Sequence, residues 1–414
     1  MESTPKSLRL HIGIFGRRNV GKSSLLNALT RQDVSIVSAI AGTTTDPVEK
    51  AMELLPIGPV LFIDTAGVDD VGELGELRSE RTRRVFDRTD LAILVCGSDG
   101  WNEFEAALLG EFETRRTAVI VVFNKADLWE PDAATLAWLA AANVGTVRSV
   151  ATRREGILEL REAIIRSAPE AFVGNPTLVG DLLPAGEVAV LVVPIDLEAP
   201  KGRLILAQVQ TIRDILDSDA WCVVVKEHEL AEALSRLNRK PKMVITDSQA
   251  FLRVVGDTPG DIWLTSFSIL FARVKGDLAE MVRGATHIDD LRPGDRVLVC
   301  EACTHHPIGD DIGRVKIPGW LMQYVGGELR FDHYSGHDFP SNIADYKLVI
   351  HCGACVHNRR EMLSRIAVCL HVGVPITNYG LSIAYTLGIF ERALQPFPSA
   401  LDAYQEELKK RGRQ

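Results

Sequence analysis

Gly16-Arg17-Arg18-Asn19-Val20-Gly21-Lys22-Ser23-Ser24 reads as GxxxxGKS, and its surroundings decide the fold of the first part of the chain. Residues 8–15 before it are rich in strand formers, and Leu25-Leu26-Asn27-Ala28-Leu29 after it has a helical pattern. Strand, glycine loop and helix in that order make a phosphate-binding loop. Gly16 and Gly21 let the backbone N–H groups around Val20 and Ser24 turn onto phosphate oxygens, helped by the positive end of the helix. Lys22 then reaches the outer phosphates, and Ser23 is placed to ligate Mg2+.

Working outward, three more signals arrive in the expected order. Asp64-Thr65-Ala66-Gly67 ends an apolar strand over 60–63, where a carboxylate holds magnesium through water and a glycine N–H senses the terminal phosphate. Asn124-Lys125-Ala126-Asp127 ends a second strand over 118–123 and is an NKxD pattern, whose aspartate reads the guanine N–H groups and selects GTP. Gly42-Thr43-Thr44-Thr45-Asp46 falls at the first switch, with Thr44 as the expected magnesium ligand. Ser149-Val150-Ala151 falls at the last guanine-contacting loop; Val150 stands where a serine is usual, so base contact is expected through backbone.

Together these motifs resemble the GTPases of the Era and TrmE (MnmE) group over residues 1–170. The resemblance implies a Ras-like P-loop α/β domain that hydrolyses GTP. Val68 follows the DxxG glycine in place of a water-orienting glutamine. In the potassium-activated members a P-loop asparagine holds K+ where other GTPases use an arginine finger, and Asn19 matches it. By the same likeness Glu76 is the water-positioning carboxylate, although Glu73, Glu76 and Glu80 also read as a solvated acidic run.

The 414 residues suggest two or three domains. A net charge of −9 disfavours a general affinity for nucleic acid. Seven cysteines, an odd number concentrated towards the C-terminus, suit metal ligation in a reducing compartment better than disulfides. Residues 1–10 lack the apolar stretch of a signal peptide, and no apolar run is long enough to span a bilayer, so the expected location is cytoplasmic, away from membranes.

Proline and glycine over 167–187 read as a linker. The expected division is a GTP-binding domain over 1–170, an α/β dimerisation domain over 171–270 and an α/β cluster domain over 271–414. In the middle part, strands at 188–195, 221–226 and 243–246 alternate with helices at 204–216, 229–237 and 249–255, which predicts a small parallel sheet. No cluster of reactive groups is present there: Cys222 reads as core and His228 as a solvated strand end, so self-association is the expected role.

In the last part, short apolar strands at 296–300 and 346–350 each deliver metal-type residues directly afterwards. The first gives Cys303, His305 and His306; the second gives His351, Cys352 and Cys355. Residues just past strand ends converge on one crevice in an open α/β sheet. Helices at 358–372 and 381–394 are expected to cover it, with Cys369 as core. Counting Cys300 gives CxxC twice, a zinc-ribbon spacing, but Cys300 lies in the apolar strand. Three thiols also hold three irons of a 4Fe-4S cube, leaving the fourth iron to His305, His351, Cys300 or an external ligand. His333, His337 and His357 are each read singly as polar surroundings of the site.

The pattern Cys303-Thr304-His305 with His351-Cys352-Gly353-Ala354-Cys355 resembles the CxH…HCxxC signature of the HydF family of FeFe-hydrogenase maturation GTPases. The stretches Ser335-Gly336-His337-Asp338-Phe339-Pro340 and 375–384 look like that family too. The resemblance implies a homodimer or higher homo-oligomer that carries a di-iron subcluster precursor beside a 4Fe-4S cluster. It also implies loading by two radical-SAM maturases, HydE and HydG, and delivery to apo FeFe hydrogenase. The alternative is an Era/TrmE-like GTPase acting on RNA, with CxxC…CxxC as a structural zinc site.

Overall fold

The computed structural model describes residues 4–30, 48–65, 84–169, 172, 177–195, 204–303 and 311–412. They fall into two compact units, residues 1–176 and 177–414. No helix among the described residues is long and apolar enough to cross a membrane.

The first unit is built on a six-stranded sheet. Its strands are β1 (Leu10–Phe15), β2 (Val48–Leu54), β3 (Gly58–Asp64), β4 (Leu91–Cys96), β5 (Ala118–Asn124) and β6 (Gly145–Ser149). Their order is β2-β3-β1-β4-β5-β6, parallel except for the β2–β3 pair. Every residue of β1 and β4 is buried, because helices cover both faces of the sheet. Leu25 and Leu26 of helix Lys22–Thr30 and Leu160 and Ile164 of helix Ile157–Ser167 fill one face. Phe112 of helix Glu103–Thr114 fills the other, clustered with Phe15 and Phe86 at ring separations of 4.6–4.9 Å.

The second unit contains two four-stranded sheets that share one continuous apolar core. Strands β7 (Val188–Val192), β8 (Trp221–Val225), β9 (Met243–Thr246) and β10 (Trp263–Ser266) lie in the order β10-β9-β7-β8, all parallel. Strands β11 (Arg296–Glu301), β12 (Arg330–Ser335), β13 (Leu348–His351) and β14 (Ile376–Asn378) lie in the order β12-β11-β13-β14, again all parallel. In both sheets the second strand sits on one side of the first, and the third and fourth on the other. Each sheet therefore has a topological switch point between its first and third strands, where a crevice opens past the carboxyl ends.

Three of these strands are absent from the sequence expectation. β10 and β14 are only four and three residues long, and β12 carries Arg330, Asp332 and His333 along a half-exposed edge. The single helix expected over 381–394 is two, Tyr379–Thr386 and Phe390–Leu394. Gly388 between them has φ +71°, a left-handed conformation that a continuing helix does not contain. Cys369 is fully buried as expected, whereas Cys222 is only partly buried on the edge strand β8.

Candidate functional site

The phosphate loop leaves the buried end of β1 and enters helix Lys22–Thr30. Gly16 has φ +141°, and a Cβ there would stand 2.3 Å from the Val95 carbonyl oxygen. Gly21 has φ +95°, and its Cβ would stand 2.3 Å from Asn124 Nδ2. Only glycine closes this turn. Lys22 Nζ donates to the carbonyls of Gly16 (2.9 Å) and Arg17 (2.6 Å), so the cation folds back over the loop. Ser23 Oγ donates to Asp64 Oδ2 at 2.6 Å, which joins the two groups expected around magnesium. Burial pushes the Asp64 carboxyl up, against the opposing pull of Ser23, Lys22 and Lys50. Thr65 Oγ1 donates to the Ile14 carbonyl and pins the start of that loop to β1.

The base-reading motif is tied to the same loop. Asn124 Nδ2 donates to the Val20 carbonyl (2.9 Å), while its Oδ1 accepts from Ser149 Oγ and the Ala151 N–H, both at 3.1 Å. Lys125 Nζ donates to the Asn19 carbonyl at 2.8 Å, leaving the Asn19 side chain exposed beside the phosphate cradle. Asp127 is exposed and pairs with Arg153 at 3.2 Å. The Val150 N–H bonds Glu155 O, so the hydroxyl of this loop comes from Ser149. Ser24 lies in the first turn of the helix. Arg17, paired with Glu105 at 3.0 Å, braces the loop, a contact that nothing in the motif announces. Thr43, Thr44, Gly67 and Glu76 lie outside the described residues.

The thiols lie at the switch point of the β12-β11-β13-β14 sheet. β11 ends one residue before Ala302-Cys303, and β13 ends at His351, directly before Cys352. Ala354 has φ +54°, which curls the Cys352–Cys355 turn. The Ala302 N–H donates to Cys352 Sγ at 3.1 Å and the Ala354 N–H donates at 3.4 Å. Burial pushes the Cys352 thiol up to about 12, with Cys355 contributing, and the Cys355 thiol up to about 11, with Cys303 contributing. Cys352 and Cys355 pack against the apolar core, and two backbone N–H groups are aimed at the Cys352 sulfur. That donor set suits an iron-sulfur cluster, which thiolates hold and N–H···S bonds tune.

Cys300 is fully buried within β11, and burial, the neighbouring Cys369 and Cys352 push its thiol up. His351 differs from expectation. Its Nδ1 lies 3.0 Å from the Cys352 carbonyl and its Nε2 lies 2.8 Å from Arg365 Nη1. Both ring nitrogens of this fully buried imidazole are engaged, and burial beside Arg365 holds it well below the usual histidine range, so it is neutral. In this arrangement the ring holds the thiol turn to Arg365. His305 and His306 lie outside the described residues.

The two further stretches singled out in the sequence form the support of this site. Arg365 Nη2 donates to Gly336 O (2.8 Å) and Glu361 Oε1 (3.1 Å), and its guanidinium lies over the Phe339 ring. Asn378 Nδ2 donates to the carbonyl and hydroxyl oxygens of Ser268, and the Gly380 N–H donates to the same hydroxyl. Gly353 of the thiol turn packs against Ser268 and Phe271. Sequence reading missed Arg365, Glu361 and Ser268, because single charged or hydroxyl residues on helices carry no motif.

Comparison with known proteins follows this division. Residues 11–125 match the 50S ribosome-binding GTPase family, and so form a GTPase domain. GTPase Der of Campylobacter jejuni is 40% identical over 127 residues, 30% of this chain and 27% of that protein. The tRNA modification GTPase MnmE of Synechococcus is 40% identical over 158 residues, 37% of this chain and 32% of that one. The chain thus spans about a third or less of these relatives. Among solved structures, a single-residue variant of Aquifex aeolicus Era bound to GDP.AlF4- is 27% identical, covering 38% of this chain and 56% of that one at a TM-score of 0.35. Residues 178–276 match the hydrogen maturase F dimerization domain, and residues 279–396 match its tetramerization domain. These two matches take up nearly all of the second unit, switch-point thiols included, and with the GTPase domain ahead of them the chain belongs to the hydrogen maturase F family.

Proposed function

We propose that this protein is a GTP-hydrolysing scaffold for hydrogenase maturation, holding a 4Fe-4S cluster on Cys303, Cys352 and Cys355. The observation that carries the reading is the gathering of these thiols at one switch point, with the Ala302 and Ala354 N–H groups on Cys352 Sγ. A cluster bound by three thiolates supplies one iron with an exchangeable position, beside which a di-iron precursor, as cargo, would dock. His305 or an external group is the ligand we assign there, since His351 is committed to Arg365 and the Cys352 carbonyl. Cys303 and Cys355 complete the thiol set, Ser268 and Asn378 hold the turn, and burial with Arg365 beside it keeps His351 neutral and in place. The cargo would arrive from the radical-SAM maturases HydE and HydG and leave to apo FeFe hydrogenase, all in the cytoplasm.

In the GTPase domain, Lys22 would neutralise the outer phosphates, Ser23 and Asp64 would hold Mg2+, and Asn19 would hold K+. Thr44 would complete the magnesium shell, Glu76 would position water, and Asp127 would read guanine. Nucleotide state would bias partner docking through the switches without touching the cluster. Self-association would run through residues 171–270, where the edge strand β8 exposes Trp221 and Val224. Turnover and cluster content test the two halves separately. Lys22→Ala is expected to lower GTP turnover roughly a hundredfold or more while leaving iron content unchanged. Equal turnover in K+ and Na+ would refute the role of Asn19.

A further inference from the structure

Beside the thiol turn, a second set of donors converges. His337 follows β12 by two residues, and His357 and Glu361 lie just beyond β13, so all three come from the same end of the sheet. One ligand atom from each lies within 4.8 Å of the other two. His337 Nδ1 stands 3.0 and 3.1 Å from the two Glu361 oxygens, and His357 Nε2 stands 3.5 Å from Oε1. The two imidazoles are stacked with centroids 5.2 Å apart. His357 is 1% exposed, yet its ring nitrogens make only loose contacts, with Glu361 Oε1 at 3.5 Å and with the Gly336 backbone. A buried imidazole held only by such loose contacts gains from a ligand that completes it.

We propose that His337, His357 and Glu361 form a second metal site, for a single first-row divalent ion such as Fe2+ or Zn2+, separate from the thiols. Two imidazoles and one carboxylate are the donor set such ions take, with coordination positions left open. The surrounding contacts are those of a ligand shell. Arg365 Nη2 donates to Glu361 Oε1 at 3.1 Å, so the carboxylate is held from outside, while Asn358 Oδ1 caps the helix by accepting from the Glu361 backbone N–H at 3.2 Å. The His337 side chain is half exposed and gives the ion a way in. His357 follows Cys355 by two residues, which places this ion on the same turn that carries the thiols.

Anaerobic titration of tag-free, full-length protein with Co2+ tests the site. A bound cluster would mask the weak ligand-field bands that imidazole and carboxylate donors give, and free thiolates would add intense charge transfer, so the titration is made on the full-length chain carrying Cys303→Ala, Cys352→Ala and Cys355→Ala. The expected result is one Co2+ per chain with ligand-field bands alone. His337→Ala should weaken that binding by more than about tenfold. His333→Ala, whose ring sits on the Gly313 carbonyl outside the group, should leave it unchanged. No Co2+ uptake by that triple-alanine chain, or unaltered binding when His337→Ala is added to it, would overturn the proposal.

Discussion

Past β7 and β9 the chain continues as Val193-Pro194-Ile195 and Asp247-Ser248; past β11 and β13 it continues as Ala302-Cys303 and Cys352. The strand order is the same in both sheets and both crevices open at the same topological position. In the first, Asp247 is taken up by Gln208, whose Nε2 donates to Oδ2 at 2.7 Å, and described residues offer no thiol or imidazole there. In the second, the crevice holds three thiols and a layer of buried charge behind them. The fold therefore supplies a place, and the two or three residues after each strand decide whether chemistry occupies it.

The largest expected difference between the sheets is in iron. Cys352→Ala should remove nearly all cluster iron and sulfide, while Cys222→Ala, on edge strand β8 of the other sheet, should change neither. Equal losses would mean that the thiols act only through folding.

Next come the buried polar groups behind each crevice. Arg365→Met leaves Glu361 without its guanidinium and frees His351, and should lower unfolding stability by about 3–5 kcal/mol in a denaturant titration. Gln208→Leu removes a hydrogen bond to the Asp247 carboxylate and one from the Ile205 N–H, without unpairing a buried ion pair, and should lower it less, by about 1.5–3 kcal/mol. A reversed order would place the charged support in the wrong sheet.

The smallest effects should come from the caps that end both sheets. β10 runs into helix Phe267–Lys275 with Ser266 Oγ accepting from the Ile269 N–H, and β14 runs into helix Tyr379–Thr386 with Asn378 Oδ1 accepting from the Leu381 N–H. Ser266→Ala is expected to lower stability by about 1 kcal/mol. Asn378→Ala should exceed it slightly, because Nδ2 also holds Ser268 under the thiol turn. Matching values would remove the case for Asn378 as a support of the site.

Much of this was legible in the sequence, for identifiable reasons. The phosphate loop and the Asn124 motif follow long, fully apolar strands, and their glycines leave few readings. The thiol spacing was equally plain. The fourth strands were hidden by their shortness and β12 by its polar edge residues. The contacts of His351 with Arg365 and the Cys352 carbonyl are not legible in the sequence, because they are fixed only once helix Arg359–His371 packs on β13. His337 and His357, read singly as surroundings of the thiols, acquire a joint meaning only through Glu361, which sequence gives no reason to select.

Anaerobic iron and acid-labile sulfide analysis of the reconstituted full-length chain tests the central claim most directly. About four irons and four sulfides per chain at the thiols, lost together in Cys303→Ala, Cys352→Ala or Cys355→Ala, is the predicted result. One tightly held zinc at those cysteines, with no sulfide, would contradict it.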